Sequence, residues 1–385
     1  MDMKRIIGMF LTFVMTLGLT ACSTAETKTE RQGPDPMWVS YISEAGNVTS
    51  DGEYLATDEN LLLSWMWQQP VITGVPGETA IKAELDSLTE EFLAERERMV
   101  EDVRSYYDYE HMEYFIPYDY TRTTRTARFD QTVVSLVYED YYFLGGVHGN
   151  TNTRGVVFDT QTGERLTLAS LTEDEAALRT FVEGYILELS TTEEYDYGNM
   201  FFPEYEEWIP DVVENDLWYF NDDGMVFLSN PYVLTPYVAG LVKFTIPYSE
   251  LSGYIDEKWM PAAEARDPDI DGNITGEVVD EVDPESLLYN LVQNEDGDQL
   301  VFKVSGTVYD VQVYQASATD GSNGNLILSC DKLLDGDRFG VKIDLPTEEE
   351  LKLHEDLGPA SSDFPTEIRV IYYTGDGTQK VCVVD

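Results

Sequence analysis

The stretch Tyr141 to Leu171, YYFLGGVHGNTNTRGVVFDTQTGERLTLASL, decides how the rest of the chain is read. An aromatic strand runs into Gly145-Gly146-Val147-His148-Gly149-Asn150, a second strand ends at Phe158-Asp159, and Thr160-Gln161-Thr162-Gly163 turns the chain into a third, Arg165 to Leu168. Working outward, strands are predicted at Leu61 to Trp67, Val133 to Phe143 and Thr153 to Phe158. Upstream, Ile81, Leu85, Leu88, Phe92, Met99 and Val103 recur at helical spacing with charged residues between them. That pattern makes residues 80–104 an amphipathic helix of about seven turns, whose apolar stripe a sheet should cover. Downstream, Thr172-Glu173-Asp174-Glu175 reads as a capping box, with Leu171 and Ala176 as a weak hydrophobic staple, opening a helix that buries Phe181, Val182, Tyr185, Ile186 and Leu189. Leu217 to Asn221 and Met225 to Leu228 then form a hairpin about Asp222-Asp223-Gly224.

The hairpin leads into Asn230-Pro231-Tyr232-Val233-Leu234-Thr235-Pro236-Tyr237-Val238-Ala239-Gly240 and a final strand, Lys243-Phe244-Thr245-Ile246, running into Pro247-Tyr248. With the glycine-rich segment at 145–150, these motifs resemble the extracytoplasmic domain of RsiV-type lysozyme-responsive anti-sigma factors and of PdaC-type peptidoglycan deacetylases. The resemblance covers about residues 37–255. It implies an α+β fold, with amphipathic helices packed on a mainly antiparallel sheet, and an accessory, ligand-facing role. In PdaC-type proteins the metal-dependent deacetylase occupies a separate catalytic domain, for which this sequence offers no counterpart. RsiV-type sensors also carry a cytoplasmic sigma-binding segment, whereas only Met1 to Arg5 precede the first apolar run here, so this chain is not expected to be the anti-sigma factor itself.

That apolar run, Ile6 to Leu19 after Lys4-Arg5, is a short secretory segment, and Leu19-Thr20-Ala21-Cys22 reads as a lipobox. Residues 1–21 are the expected signal peptide, Cys22 the lipidation site and 22–36 a polar tether, which places the protein on the outer face of a bacterial cytoplasmic membrane. An ordinary signal peptide with a chance cysteine is the alternative. With 24 Lys+Arg against 73 Asp+Glu, the net charge is -49. A surface this acidic repels nucleic acid and suits cations or a basic protein, or simply keeps an exported protein soluble. Hydrophobic residues at 43% argue against disorder across the chain.

Between Asp267 and Val301 there are eleven acidic residues and no Lys or Arg. The expected organisation is therefore an α+β domain at 37–261, an acidic linker at 262–285, and a small all-β domain, sandwich or barrel-like, at 286–385. Its strands are predicted at Gln299 to Val304, Gly306 to Gln315, Leu326 to Cys330, Arg338 to Ile343, Glu367 to Tyr373 and Gln379 to Val384. With Cys22 lipidated, Cys330 and Cys382 are the one pair left for a disulfide, two free thiols being the alternative.

Candidate chemistry is sparse. The chain has three histidines, His111, His148 and His354, in no metal-binding motif, and it lacks a GxSxG elbow and a phosphate-binding loop. His148, with Gly145, Gly146, Gly149 and Asn150, is the candidate ligand-facing loop; His148 either reaches a partner or shapes its own turn. Asp267, Asp269 and Asp271 with Gly272 have the first positions of a calcium loop, but the twelfth is Val278 and Pro268 intrudes, which leaves an acidic linker as the competing reading. Tyrosines from Tyr106 to Tyr120 offer either contact surface or core, and Arg122, Arg125 and Arg128 are expected to pair with carboxylates. The composite expectation is a lipid-anchored binding module without a cofactor or catalytic activity, whose partner is a basic protein such as lysozyme, or peptidoglycan. A cell-wall-modifying hydrolase and a structural envelope lipoprotein are the competing readings.

Overall fold

The computed structural model describes residues 35–50, 61–110, 115–192, 200–261, 266–316, 325–345 and 367–384. The expected signal peptide, Cys22 and the tether as far as residue 34 lie outside the described residues, as do His111 and His354. In chain order the elements are β1 (Trp38–Thr49), β2 (Leu61–Thr73), α1 (Glu78–Glu110), β3 (Tyr118–Phe129), β4 (Val133–Phe143), β5 (Asn150–Asp159) and α2 (Glu175–Ser190). A short trio follows, β6 (Trp218–Phe220), β7 (Gly224–Ser229) and β8 (Val242–Pro247). The remainder is β9 (Asn273–Val279), β10 (Tyr289–Val292), β11 (Asp298–Ser305), β12 (Val308–Ala316), β13 (Asn325–Leu333), β14 (Arg338–Ile343), β15 (Glu367–Tyr373) and β16 (Gln379–Val384). The fold is mostly β.

One nine-stranded sheet runs β16-β15-β12-β13-β1-β2-β3-β4-β5; β10-β14-β11-β9 and β6-β7-β8 form two smaller sheets. Pairing is antiparallel except between β2 and β3 and between β10 and β14. Alternation along β4 sorts its side chains into two cores. Val134, Leu136 and Tyr138 join Ile81, Leu85 and Leu88 of α1, while Val133 and Val137 join α2 and the β6-β7-β8 sheet through Leu178, Val182, Phe220 and Phe244. A third core lies between the outer strands of the large sheet and the four-stranded sheet, with Val311, Val313, Leu328 and Val370 facing Phe302, Phe339 and Val341.

The predicted linker and separate C-terminal domain need correction. Asn273–Val279, inside the acidic stretch, is a strand paired with β11. Its one acid, Glu277, points outward and lies 2.6 Å from Lys303, and Ile274 alone is buried. The C-terminal strands do build a sandwich, but β12, β13, β15 and β16 extend the same sheet that holds β1 to β5. The seam is Trp38–Ser40, paired with Leu328–Cys330 on one side and Val71–Thr73 on the other.

Two further expectations change, and one strand is new. Arg165 to Leu168 is not a strand: after a single bridge to Phe158 the chain enters a 3-10 turn at Leu168–Ser170, capped by reciprocal bonds between Thr167 and Ser170. The second helix starts at Glu175, because the Asp174 carboxylate accepts from Ala177 N while Thr172 is used one turn earlier, accepting from Asp174 N. Finally, the threonine- and arginine-rich segment after α1 is a full strand, β3.

Buried arginines explain how β3 manages this. The Arg122 guanidinium donates to both oxygens of Asp140 (2.5 and 2.8 Å) and to Leu88 O of α1 (2.6 Å), between the rings of Phe92 and Tyr138. Arg128 donates to Asp130, to the Tyr248 hydroxyl and to Trp259 O. Arg125 instead meets Tyr219, through a 3.3 Å hydrogen bond and its ring face, so only two of the three pair with carboxylates as expected. Tyr120 stacks on Phe92 at 4.2 Å, and burial pushes its phenol up to about 12. Tyr107 meets Phe115 edge-on, and Tyr118 donates to Asp102. Tyr118 and Tyr120 thus tie α1 to the sheet, whereas Tyr106 is exposed.

Trp38 is 3% exposed, stacked on Tyr289 at 5.2 Å and tilted against Phe339. Trp38→Ala is expected to cost about 3–5 kcal/mol in chemical denaturation, the usual range for a buried large aromatic. Fluorescence and circular dichroism should still report one coincident transition.

Candidate functional site

Two segments far apart in sequence meet at one end of the large sheet. The first joins β4 to β5. Gly145 turns the chain at φ +74°, a conformation that costs a side-chain-bearing residue but not glycine. At Gly149 the limit is space, since a Cβ there would stand 2.3 Å from the Tyr141 ring. Asn150 donates to the Tyr142 hydroxyl at 2.6 Å across the last pair of the hairpin. Gly146 has open space around its Cα, and Val147 is fully exposed at the tip.

The second segment is the turn between β7 and β8. Leu234 and Thr235 are its buried anchors, and Leu234 O accepts from Phe202 N. Asn230 fixes it to the sheet: its Oδ1 accepts from Thr153 N at 2.7 Å and its Nδ2 donates to Thr153 O at 2.9 Å. A side-chain amide thereby takes the place of a neighbouring strand along β5. The backbone then rises to Tyr232, at φ +71°, and to a turn at Tyr237–Ala239 that ends on Gly240 at φ +69°.

His148 lies where the two meet. Its ring stacks on Tyr237, 4.0 Å between centroids and 19° between planes, and Tyr237 stacks in turn on Tyr232. Nδ1 is 2.8 Å from Gly149 O; a carbonyl only accepts, so Nδ1 carries the hydrogen. In the neutral ring Nε2 is then an acceptor, and it faces the Tyr232 hydroxyl at 3.5 Å. All three rings are exposed, beside Val147 and Val238. The arrangement is an aromatic and aliphatic surface with hydroxyl and imidazole edges. The described contacts of His148 are with Gly149, Tyr232 and Tyr237; they bring a tyrosine hydroxyl to the ring but no carboxylate.

Residues 170–249 match the family model described as a protein of unknown function, DUF3298. A DUF3298 domain is found there. It spans α2, the β6-β7-β8 sheet and the turn that carries Asn230, Tyr232 and Tyr237, while the Gly145–Asn150 loop precedes it. Among solved structures, a DUF3298 protein of Bacteroides fragilis is similar at 16% identity, over 57% of this chain and 94% of that one, with a TM-score of 0.39. Another, from Pseudomonas aeruginosa, is similar at 14% identity, over 58% of this chain and 96% of that one, with a TM-score of 0.37. No curated protein matches the chain.

The other candidate sites are not assembled. Asp267 turns inward on its own loop, accepting from Asp269 N, and Asp271 pairs with Lys380 at 2.5 Å. Among the described residues no group of three His, Cys, Asp or Glu could hold a metal ion, and Asp267, Asp269 and Asp271 are exposed. No disulfide joins Cys330 to Cys382. They stand on β13 and β16 with β12 and β15 between them, about 14 Å at ~4.8 Å per strand, against a Cα limit near 7 Å for a disulfide. Among the described residues no helix is long and apolar enough to cross a membrane.

Asn230→Ala removes both bonds to Thr153 and leaves those backbone groups unpaired, an expected loss of about 1–3 kcal/mol. The His148 ring protons should then lose the shielding of Tyr237, a shift readable by NMR.

Proposed function

We propose that this chain is a cell-surface binding module of the RsiV type, lipid-anchored through Cys22 at the outer face of the bacterial cytoplasmic membrane and without catalytic activity of its own. The observation that carries the reading is the convergence of two segments 84 residues apart on a single exposed cluster, His148, Tyr232 and Tyr237. Tyrosine supplies contact area at low conformational cost with a polar tip, and pre-stacked rings lose little further freedom on binding. The loop that positions His148 is held by glycine at two places where any side chain would be strained or crowded.

Charge narrows the partner. A chain of net charge -49 accelerates the approach of a basic protein and slows that of an acidic one. A basic protein such as lysozyme is therefore the preferred partner. Peptidoglycan, the other partner implied by the resemblance, has no such steering.

The test is capture of lysozyme, and separately of purified peptidoglycan, by the full chain across a salt series. Lysozyme is expected to bind at low salt and to be released as salt rises, and Tyr237→Ala is expected to weaken capture by about tenfold or more, as for an interface anchor. Failure to capture either at low salt sinks the proposal.

A further inference from the structure

The large sheet treats its edges unequally. Along the outer side of β5, alternate residues are matched by chain that belongs to no neighbouring strand. Thr153 is held by Asn230, Gly155 N donates to Asp216 O at 2.9 Å, Val157 O accepts from Leu166 N at 2.7 Å, and Asp159 N donates to Glu164 O at 3.0 Å. Gly155 permits its contact, since a Cβ there would lie 1.7 Å from Trp218 O. At the opposite margin, Lys380 of β16 donates to Asp271 and to Gly272 O.

Among the described residues β1 has no comparable cover. It pairs with β2 from Trp38 to Thr49, but its pairing with β13 stops at Ser40. From Tyr41 to Val48 the strand therefore has a ladder on one side only among the described residues, a run of about 27 Å at ~3.4 Å per residue. Ile42, Ser43, Glu44 and Ala45 are exposed, Ile42 at 47%. Of the usual devices that blunt an edge the run has a single charged side chain, Glu44, but neither Lys nor Pro, and its irregularity comes only at Val48/Thr49. The ribbon is backed instead by Trp65, whose ring lies so close to Gly46 that a Cβ would stand 2.7 Å from it.

Charge chooses the occupant. Glu44 is the sole charged side chain in the run, and each chain carries -49. Pairing of two copies through β1 would bring together two strongly acidic molecules and their Glu44 carboxylates, whereas a basic strand meets neither penalty. We propose that the free side of β1, Tyr41 to Val48, is a strand-addition site for an extended, basic segment of a partner protein. Main-chain hydrogen bonds supply the affinity, and lysine or arginine beside Glu44 supplies the preference. The site is distinct from the His148 cluster: β2, β3 and β4 separate β1 from β5, about 19 Å at ~4.8 Å per strand.

The test uses the full chain and a synthetic octapeptide of alternating threonine and lysine at low salt. Bound peptide is expected to slow amide hydrogen exchange within residues 41–48 by about tenfold or more, with β5 unchanged. Glu44→Lys is expected to weaken binding by about tenfold, and so is N-methylation of the peptide at alternate residues on its pairing side, a change that leaves the protein untouched. Tyr237→Ala is expected to bind the peptide as the parent chain does, which separates failure here from failure of the loop cluster. No binding, unchanged exchange at 41–48 in the saturated complex, equal affinity for the N-methylated peptide, or protection of 41–48 by dimerisation without peptide would each overturn the proposal.

Discussion

The start of β1 is the constraint on which the architecture depends. Trp38–Ser40 are hydrogen-bonded to β13 on one side and β2 on the other, so two halves of the chain that could each have closed their own sheet share one. Because neighbouring residues of a strand face opposite ways, the same three residues serve two cores. Trp38 enters the C-terminal sandwich, where Ser40 Oγ also reaches the Tyr289 hydroxyl at 3.1 Å, and Val39 packs with α1.

Polar residues take on work that apolar ones do elsewhere in the fold. Arg122 crosses from β3 to Asp140 on β4 and to the Leu88 carbonyl of α1, joining three elements through one planar group. A buried ion pair of this kind adds little net stability over an apolar equivalent, yet removing one partner strands the other charge. Its contribution is therefore registration of the helix on the sheet more than raw stability. Asn230 does something similar at the sheet margin, fixing where a long turn lands.

These substitutions mark where sequence reading succeeds and where it fails. β4, β14 and β15 have the bounds that alternation and flanking turn residues predict, because their inward positions are apolar; β16 has its predicted bounds too, although Val381 and Val383 are exposed. β1 and β3 escape the same reading. Ser43-Glu44-Ala45-Gly46-Asn47 has poor strand propensity and is held by its pairing with β2, and β3 presents arginine and threonine where a pattern search expects valine. The acidic stretch around β9 reads as a linker because an edge strand with one buried side chain resembles solvated chain. In the candidate site, both motifs are visible in sequence, but their meeting is not. It rests on the Asn230 amide binding the Thr153 backbone, a contact that no local pattern encodes.

The seam at Trp38–Ser40 also has a mechanical consequence. Tension applied to the chain at Met37 enters the sheet at an interior strand, where the β13 and β2 ladders must slide together before β1 can leave. Tension applied at Val384 acts on a strand with a single ladder, which can open one bond after another. The same protein is thus stiff when held from one end and prone to peel from the other, and its resistance to force is governed by which ladder carries the load.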